Sequence, residues 1–140
     1  QHIESCEYDA CSFQLNGIYV ISRTAKITPK KVGQFVTFWK RNSAGVIEPF
    51  SESDLFEFFI IQVRTTHAFG QFVFPKSKLI EKGIISTSKK EGKRGFRVYP
   101  SWDGPTSKQA KITQEWQSDY FYIIDDETDL NKVVRLYKGI

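Results

Sequence analysis

The segment Leu55 to Arg64, LFEFFIIQVR, is the most apolar in the chain, and it narrows what the chain can fold into. It falls far short of the roughly 20 apolar residues that a membrane-spanning helix needs, and no other run approaches that length. Aromatic and β-branched side chains in close succession fit a strand buried in the middle of a sheet. The rest of the composition points the same way. With 12 Phe, 6 Tyr and 3 Trp, aromatic residues make up 15% of the chain, and such volume suits a pleated interior better than a helical bundle. A chain of 140 residues, 40% hydrophobic and 26% charged, builds one globular domain rather than two.

Around the central strand the punctuation is regular. Asn16-Gly17 supplies the positive φ angles of a tight turn, so Ser12 to Leu15 and Ile18 to Arg23 read as a hairpin. Gln34 to Arg41 and Val46 to Phe50 read as strands joined by a turn at Asn42 to Gly45, and Gly70 to Phe74 as the strand after Leu55 to Arg64. Pro75 and Gly83 bracket a short helix, Pro75 to Lys82. Phe96 to Tyr99 is a further strand, and Asp103 or Thr106 caps a longer helix to Tyr120 that turns Ala110, Trp116 and Tyr120 inward. Phe121 to Ile124 is a last strand, and the acidic run Asp125 to Asp129 leads into a final helical turn or two through Leu136. This order predicts an α+β fold with a mostly antiparallel, strongly curved or barrel-like sheet, one short helix and one longer one. Residues 1–11 read as an N-terminal tail on a single domain spanning 1–140. A chain that begins at Gln1 and contains no Met is expected to lack its natural start, and no secretory signal is visible.

The net charge of +4 is unevenly distributed. Arg23, Lys26, Lys30, Lys31, Lys40 and Arg41 occupy 23–41 with no acid among them, and residues 76–111 carry ten basic side chains against Glu81, Glu91 and Asp103. Each remaining segment is net acidic. Two basic blocks separated by acidic ones predict a polarised molecule with a phosphate-binding side. Cys6 and Cys11 form a C-x4-C pair without further Cys or His partners, a poor zinc framework, and read as reduced thiols in a cytoplasmic protein. No metal or cofactor is assigned.

The basic blocks are interleaved with aromatic residues. Alternation puts Phe35, Thr37, Trp39 and Arg41 on one face of their strand and Val36, Phe38 and Lys40 on the other, so Trp39 beside Arg41 is a stacking candidate or a core residue with equal claim. Phe96 and Val98 share one face of the next strand, leaving Arg97 and Tyr99 opposite them, just after the basic turn Gly92-Lys93-Arg94-Gly95. The two glycines are expected to let that turn approach a phosphate. Lys76 and Lys78 follow Pro75 at a helix start, where an anion is favoured. Catalysis has less support. A metal-dependent nuclease needs clustered acids and a lysine, and the one acid-x-Lys match, Glu91-Gly-Lys93, with Asp54 or Glu57 upstream, is what chance supplies in so charged a chain.

QFVTFWKR (34–41), FGQFVFPK (69–76), EKGIIS (81–86) and GKRGFRVYP (92–100), followed by Trp102, Lys108-Gln-Ala and Thr113-Gln-Glu-Trp-Gln117, resemble the MepB family over residues 11–121. Members are small bacterial proteins, the namesake encoded beside a multidrug efflux pump and its repressor. The resemblance implies a link to antibiotic resistance without assigning a chemistry, a further N-terminal helical segment, and a fold similar to the DNA-binding or nuclease-related domains of restriction enzymes.

Taken together, the expectation is a non-catalytic nucleic-acid-binding domain, DNA before RNA. Lys30, Lys31, Lys40, Arg41, Lys76, Lys93, Arg94 and Arg97 would hold phosphates, with Trp39 and Tyr99 as stacking rings. A Mg²⁺-dependent nuclease and a binder of small planar drugs are the alternatives.

Overall fold

The computed structural model describes residues 2–7, 10–15, 17–125, 128 and 130–138, with backbone only for 2–7, 10, 11, 13, 15 and 138. The N-terminal half holds β1 (His2–Glu7), β2 (Ala10–Leu15), β3 (Ile18–Thr24), β4 (Lys26–Ile27), β5 (Gln34–Thr37), β6 (Lys40–Arg41), β7 (Ile47–Glu48) and β8 (Phe58–Arg64). Then follow β9 (Phe69–Pro75), α1 (Lys76–Glu81), β10 (Gly95–Val98), α2 (Lys108–Ser118), β11 (Phe121–Ile123) and α3 (Leu130–Lys138). The fold is α+β, as expected, and β3 with β8 is the one parallel pairing among the described strands.

The strands do not close into a barrel. They form a six-stranded sheet in the order β1-β2-β3-β8-β9-β11, a three-stranded sheet β10-β5-β4 and a two-stranded ribbon β6-β7. What curvature was expected to enclose is covered instead by the small sheet packing across the large one. Ile21, Phe59, Ile61, Phe72 and Phe74 of the large sheet meet Val36, Phe96 and Val98 of the small one. Phe38 joins them, its ring stacked on Phe59 with centroids 4.2 Å apart and tilted against Phe50 at 4.5 Å. On the opposite face of the large sheet Val20, Phe58, Ile60 and Val73 are covered by Leu136 and Tyr137 of α3. That second cover explains why Phe58, Phe59, Ile60 and Ile61 are all buried, and β8 is central as its sequence predicts.

Several boundaries move. The apolar run begins as a strand at Phe58, and Leu55 is 82% exposed in the preceding turn. Residues 2–7 form an edge strand rather than a tail, because the outer edge of β2 presents unpaired backbone groups that a further strand satisfies. The hairpin turn holds: Leu15 pairs with Ile18, and Gly17 has φ +81°. The register also sets Cys6 opposite Cys11, whose side chains lie outside the described residues, as does most of the acidic run 125–129. The longer helix starts at neither Asp103 nor Thr106. Ser107 caps it, Oγ accepting from the Ala110 amide at 3.1 Å, because Gln114 Nε2 donates to the carbonyls of Pro100 and Asp103 and holds 100–103 as a turn outside the helix.

Candidate nucleic-acid interface

The strand predicted over 34–41 breaks after Thr37, and Lys40–Arg41 leave to pair with Ile47–Glu48. Its alternation nevertheless persists through the break. Gln34, Val36 and Phe38 are buried, whereas Phe35, Thr37 and Arg41 are exposed and Trp39 is half-buried. The ladder of the small sheet aligns Lys26 with Phe35 and Phe35 with Arg97, so these three side chains share its outer face in one row. Phe35 is 40% exposed, and its ring lies over Gly95: a Cβ there would come within 2.5 Å of the ring. Lys30 and Lys31 are exposed in the loop that joins β4 to β5.

The protein holds this face in place from beneath and from the side. Arg97 donates to Thr28 Oγ1 at 2.7 Å and to the Val32 carbonyl at 3.2 Å, tying down both ends of the loop that carries Lys30 and Lys31. Gly33 ends that loop at φ +86°, and the ring of Tyr99 occupies the space a side chain there would need, 2.8 Å from the Cβ position. The far edge of β10 is closed by α2. Fully buried Gln117 donates to the Arg97 carbonyl at 3.0 Å and accepts from the Tyr99 amide at 2.9 Å, which satisfies two backbone groups that an edge strand leaves open.

A second collection of predicted residues lies past the end of the small sheet. Lys40 and Arg94 line an open groove of about 440 Å³ with Asn42, Glu48, Ser51 and Glu91. Here every cation is answered by an acid. Lys40 lies 2.6 Å from the Asp54 carboxylate and 3.9 Å from Glu48, and Arg94 pairs with Glu91 at 3.0 Å. Asp54 is itself fixed, accepting from the Ser51 amide at 2.7 Å.

The remaining residues separate. Lys76 is drawn inward, its ammonium bonded to the Asp54 carbonyl and 5.2 Å over the Phe56 ring, and α1 has only six residues. Arg41 lies over the Trp39 ring at 5.3 Å and donates to the Gly45 carbonyl, so the protein's own guanidinium occupies one side of that ring. Lys93 is exposed, but its amide bonds to the Ile84 carbonyl, and the basic turn is packed rather than free. A Cβ on Gly92 would fall 2.3 Å from that carbonyl, so this glycine admits protein backbone and not a phosphate, while Gly95 admits the ring of Phe35. Trp102 packs on the core against Phe121.

Sequence reasoning passed over Phe35, Lys26 and Gln117. Alternation put Phe35 on the face of Trp39 and Arg41 but did not say which face turns outward, and the missing signal was its partner strand. Among the described residues no group of three or more His, Cys, Asp or Glu could hold a metal ion, and no helix is long and apolar enough to cross a membrane.

The fold and this face define a small α+β protein in which a basic, aromatic-bearing three-stranded sheet rides on a larger mixed sheet. The chain belongs to the MepB-like family, whose model matches residues 2–123. It is similar to the protein of the crystal structure of MepB, with a TM-score of 0.85 and 34% identity over 91% of this chain and 88% of that one. No curated protein matches it.

Proposed function

We propose that the chain binds nucleic acid through the outer face of the small sheet, mainly at phosphates and without catalysing a reaction on it. One observation carries this reading. Lys26, Lys30 and Lys31 are exposed and form no ion pair among the described residues; Lys26 stands on the same face as Arg97, which also meets no acid, and Lys30 and Lys31 are carried by the loop that Arg97 holds at Thr28 and Val32. Cations left without internal partners around an exposed ring suit an anionic, base-bearing polymer better than a neutral ligand. Kinship with the DNA-binding domains of restriction enzymes, and a link to drug resistance, rest on the family resemblance and belong to the same proposal.

Fluorescence anisotropy with labelled DNA and RNA at 50 and 200 mM salt tests it. With about four to six phosphate contacts, log K should fall against log salt with a slope of about −3 to −5. Binding that does not respond to salt would overturn the reading. Gels run with and without Mg²⁺ separate it from the nuclease alternative, which requires loss of substrate, and a ligand-dependent rise in Tm would point to small-molecule binding instead.

A further inference from the structure

We infer that the row Lys26–Phe35–Arg97 is a stacking site for an unpaired strand of nucleic acid, an inference that rests on the function proposed above. A single exposed aromatic residue is ordinary on a protein surface and carries nothing by itself. The setting of Phe35 is different in three respects. Its ring is laid over the backbone at Gly95, where any side chain would collide with it, so the glycine makes room for the ring against the sheet. It stands in the middle strand of three, with Lys26 in register on one side and Arg97 on the other. Those two cations are therefore roughly 10 Å apart at the backbone with the ring between them. Neither cation meets an acid among the described residues, and a guanidinium has more N–H donors than the two that Arg97 gives to Thr28 and Val32.

Charge, ring, charge is the order in which an extended strand presents phosphate, base and phosphate. A duplex presents only phosphates to such a face, since its bases are stacked and paired inside. The face thus matches a strand whose bases can turn outward, and every base has a π-face for the ring to meet. Neither the ring nor the cations address a ribose 2′-hydroxyl, so DNA and RNA strands should be held alike.

The test uses labelled twelve-mers of oligo-dT, oligo-rU and a mixed-sequence duplex at one salt concentration, with wild type, Phe35→Leu and Phe35→Tyr. Leucine keeps apolar cover over Gly95 and removes the π-face; tyrosine keeps both. Wild type should bind both single strands at least tenfold more tightly than the duplex and within about threefold of each other. Phe35→Leu should lose about tenfold on the single strands and little on the duplex, with Tm unchanged, while Phe35→Tyr behaves as wild type. Equal affinity for single strand and duplex, or wild-type binding by Phe35→Leu, overturns the stacking site while leaving phosphate binding standing. Absence of salt-sensitive binding to any probe overturns the underlying function instead.

Discussion

Lys26 on the small sheet, Lys30 and Lys31 on its β4–β5 loop, and Lys40 and Arg94 in the groove all belong to the two basic stretches of sequence, and folding treats the two groups in opposite ways. In the groove Lys40 lies 2.6 Å from the Asp54 carboxylate and Arg94 3.0 Å from Glu91, so a phosphate arriving there must compete with a carboxylate already in place. On the outer face the described residues offer no such competitor. Counting charge along the chain makes the regions equivalent; pairing it in space separates a phosphate-ready surface from an internally neutral one. What matters for binding is charge left over after the protein has satisfied itself.

The widest separation comes from alanine at Lys26, Lys30 and Lys31 together. Each phosphate contact on a single strand contributes a factor of about five at ~0.1 M salt, so the triple change should weaken binding about a hundredfold and flatten the salt slope by about 2, with Tm unchanged. A loss of less than about threefold would break the comparison on its main side. Next comes Gln117→Leu, which leaves the Arg97 carbonyl and the Tyr99 amide buried without their partner. That should cost about 1–3 kcal/mol, lower Tm by roughly 3–10 °C and weaken single-strand binding along with it, as thermal melts and anisotropy on the same sample will show. Smaller effects belong to the groove. Lys40→Ala with Arg94→Ala should change affinity less than about threefold and lower stability by at most about 1 kcal/mol, since the pairs are partly exposed. Large loss of binding there would shift the site to the groove.

The smallest effect concerns Asp103, an acid of the second basic stretch that neutralises neither region. Burial pushes its carboxyl above the ordinary value, so its ionised form is disfavoured in the folded state. A folded pKa above the unfolded one means that the group destabilises at neutral pH and ceases to do so once it is protonated in both states. Asp103→Asn should therefore raise Tm slightly at pH 7, lose that gain as pH falls through the carboxylate range, and leave binding unchanged.

How much of this was legible in the sequence depends on how local the cause was. Alternation placed Phe35, Thr37, Trp39 and Arg41 opposite Val36, Phe38 and Lys40, and the burial agrees even though the strand breaks after Thr37. The break itself was not legible: Lys40 and Arg41 keep the local pairing to Glu48 and Ile47 across the turn at 42–45, whereas Gln34–Thr37 pair with β10 far along the chain, and nothing within 34–41 signals that. Ser107, Thr106 and Asp103 are all cap-forming residues within one turn, and the choice fell to Gln114 reaching back to Pro100 and Asp103. The glycines of the basic turn looked free because their neighbours are charged, yet backbone from 84–86 lies against Gly92. Lys26 and Phe35 became site residues only when β4 and β10 closed on either side of β5, and the β5–β10 pairing joins segments far apart in sequence.

The most direct test of the account sets its two regions against each other in one titration. Wild type, the Lys26/Lys30/Lys31 triple alanine variant and the Lys40/Arg94 double alanine variant are titrated onto the same labelled oligo-dT at 50 and 200 mM salt. The account predicts that the triple variant loses about a hundredfold and part of its salt dependence, while the double variant follows wild type. Equal behaviour of the two variants, or the reverse order, would contradict it.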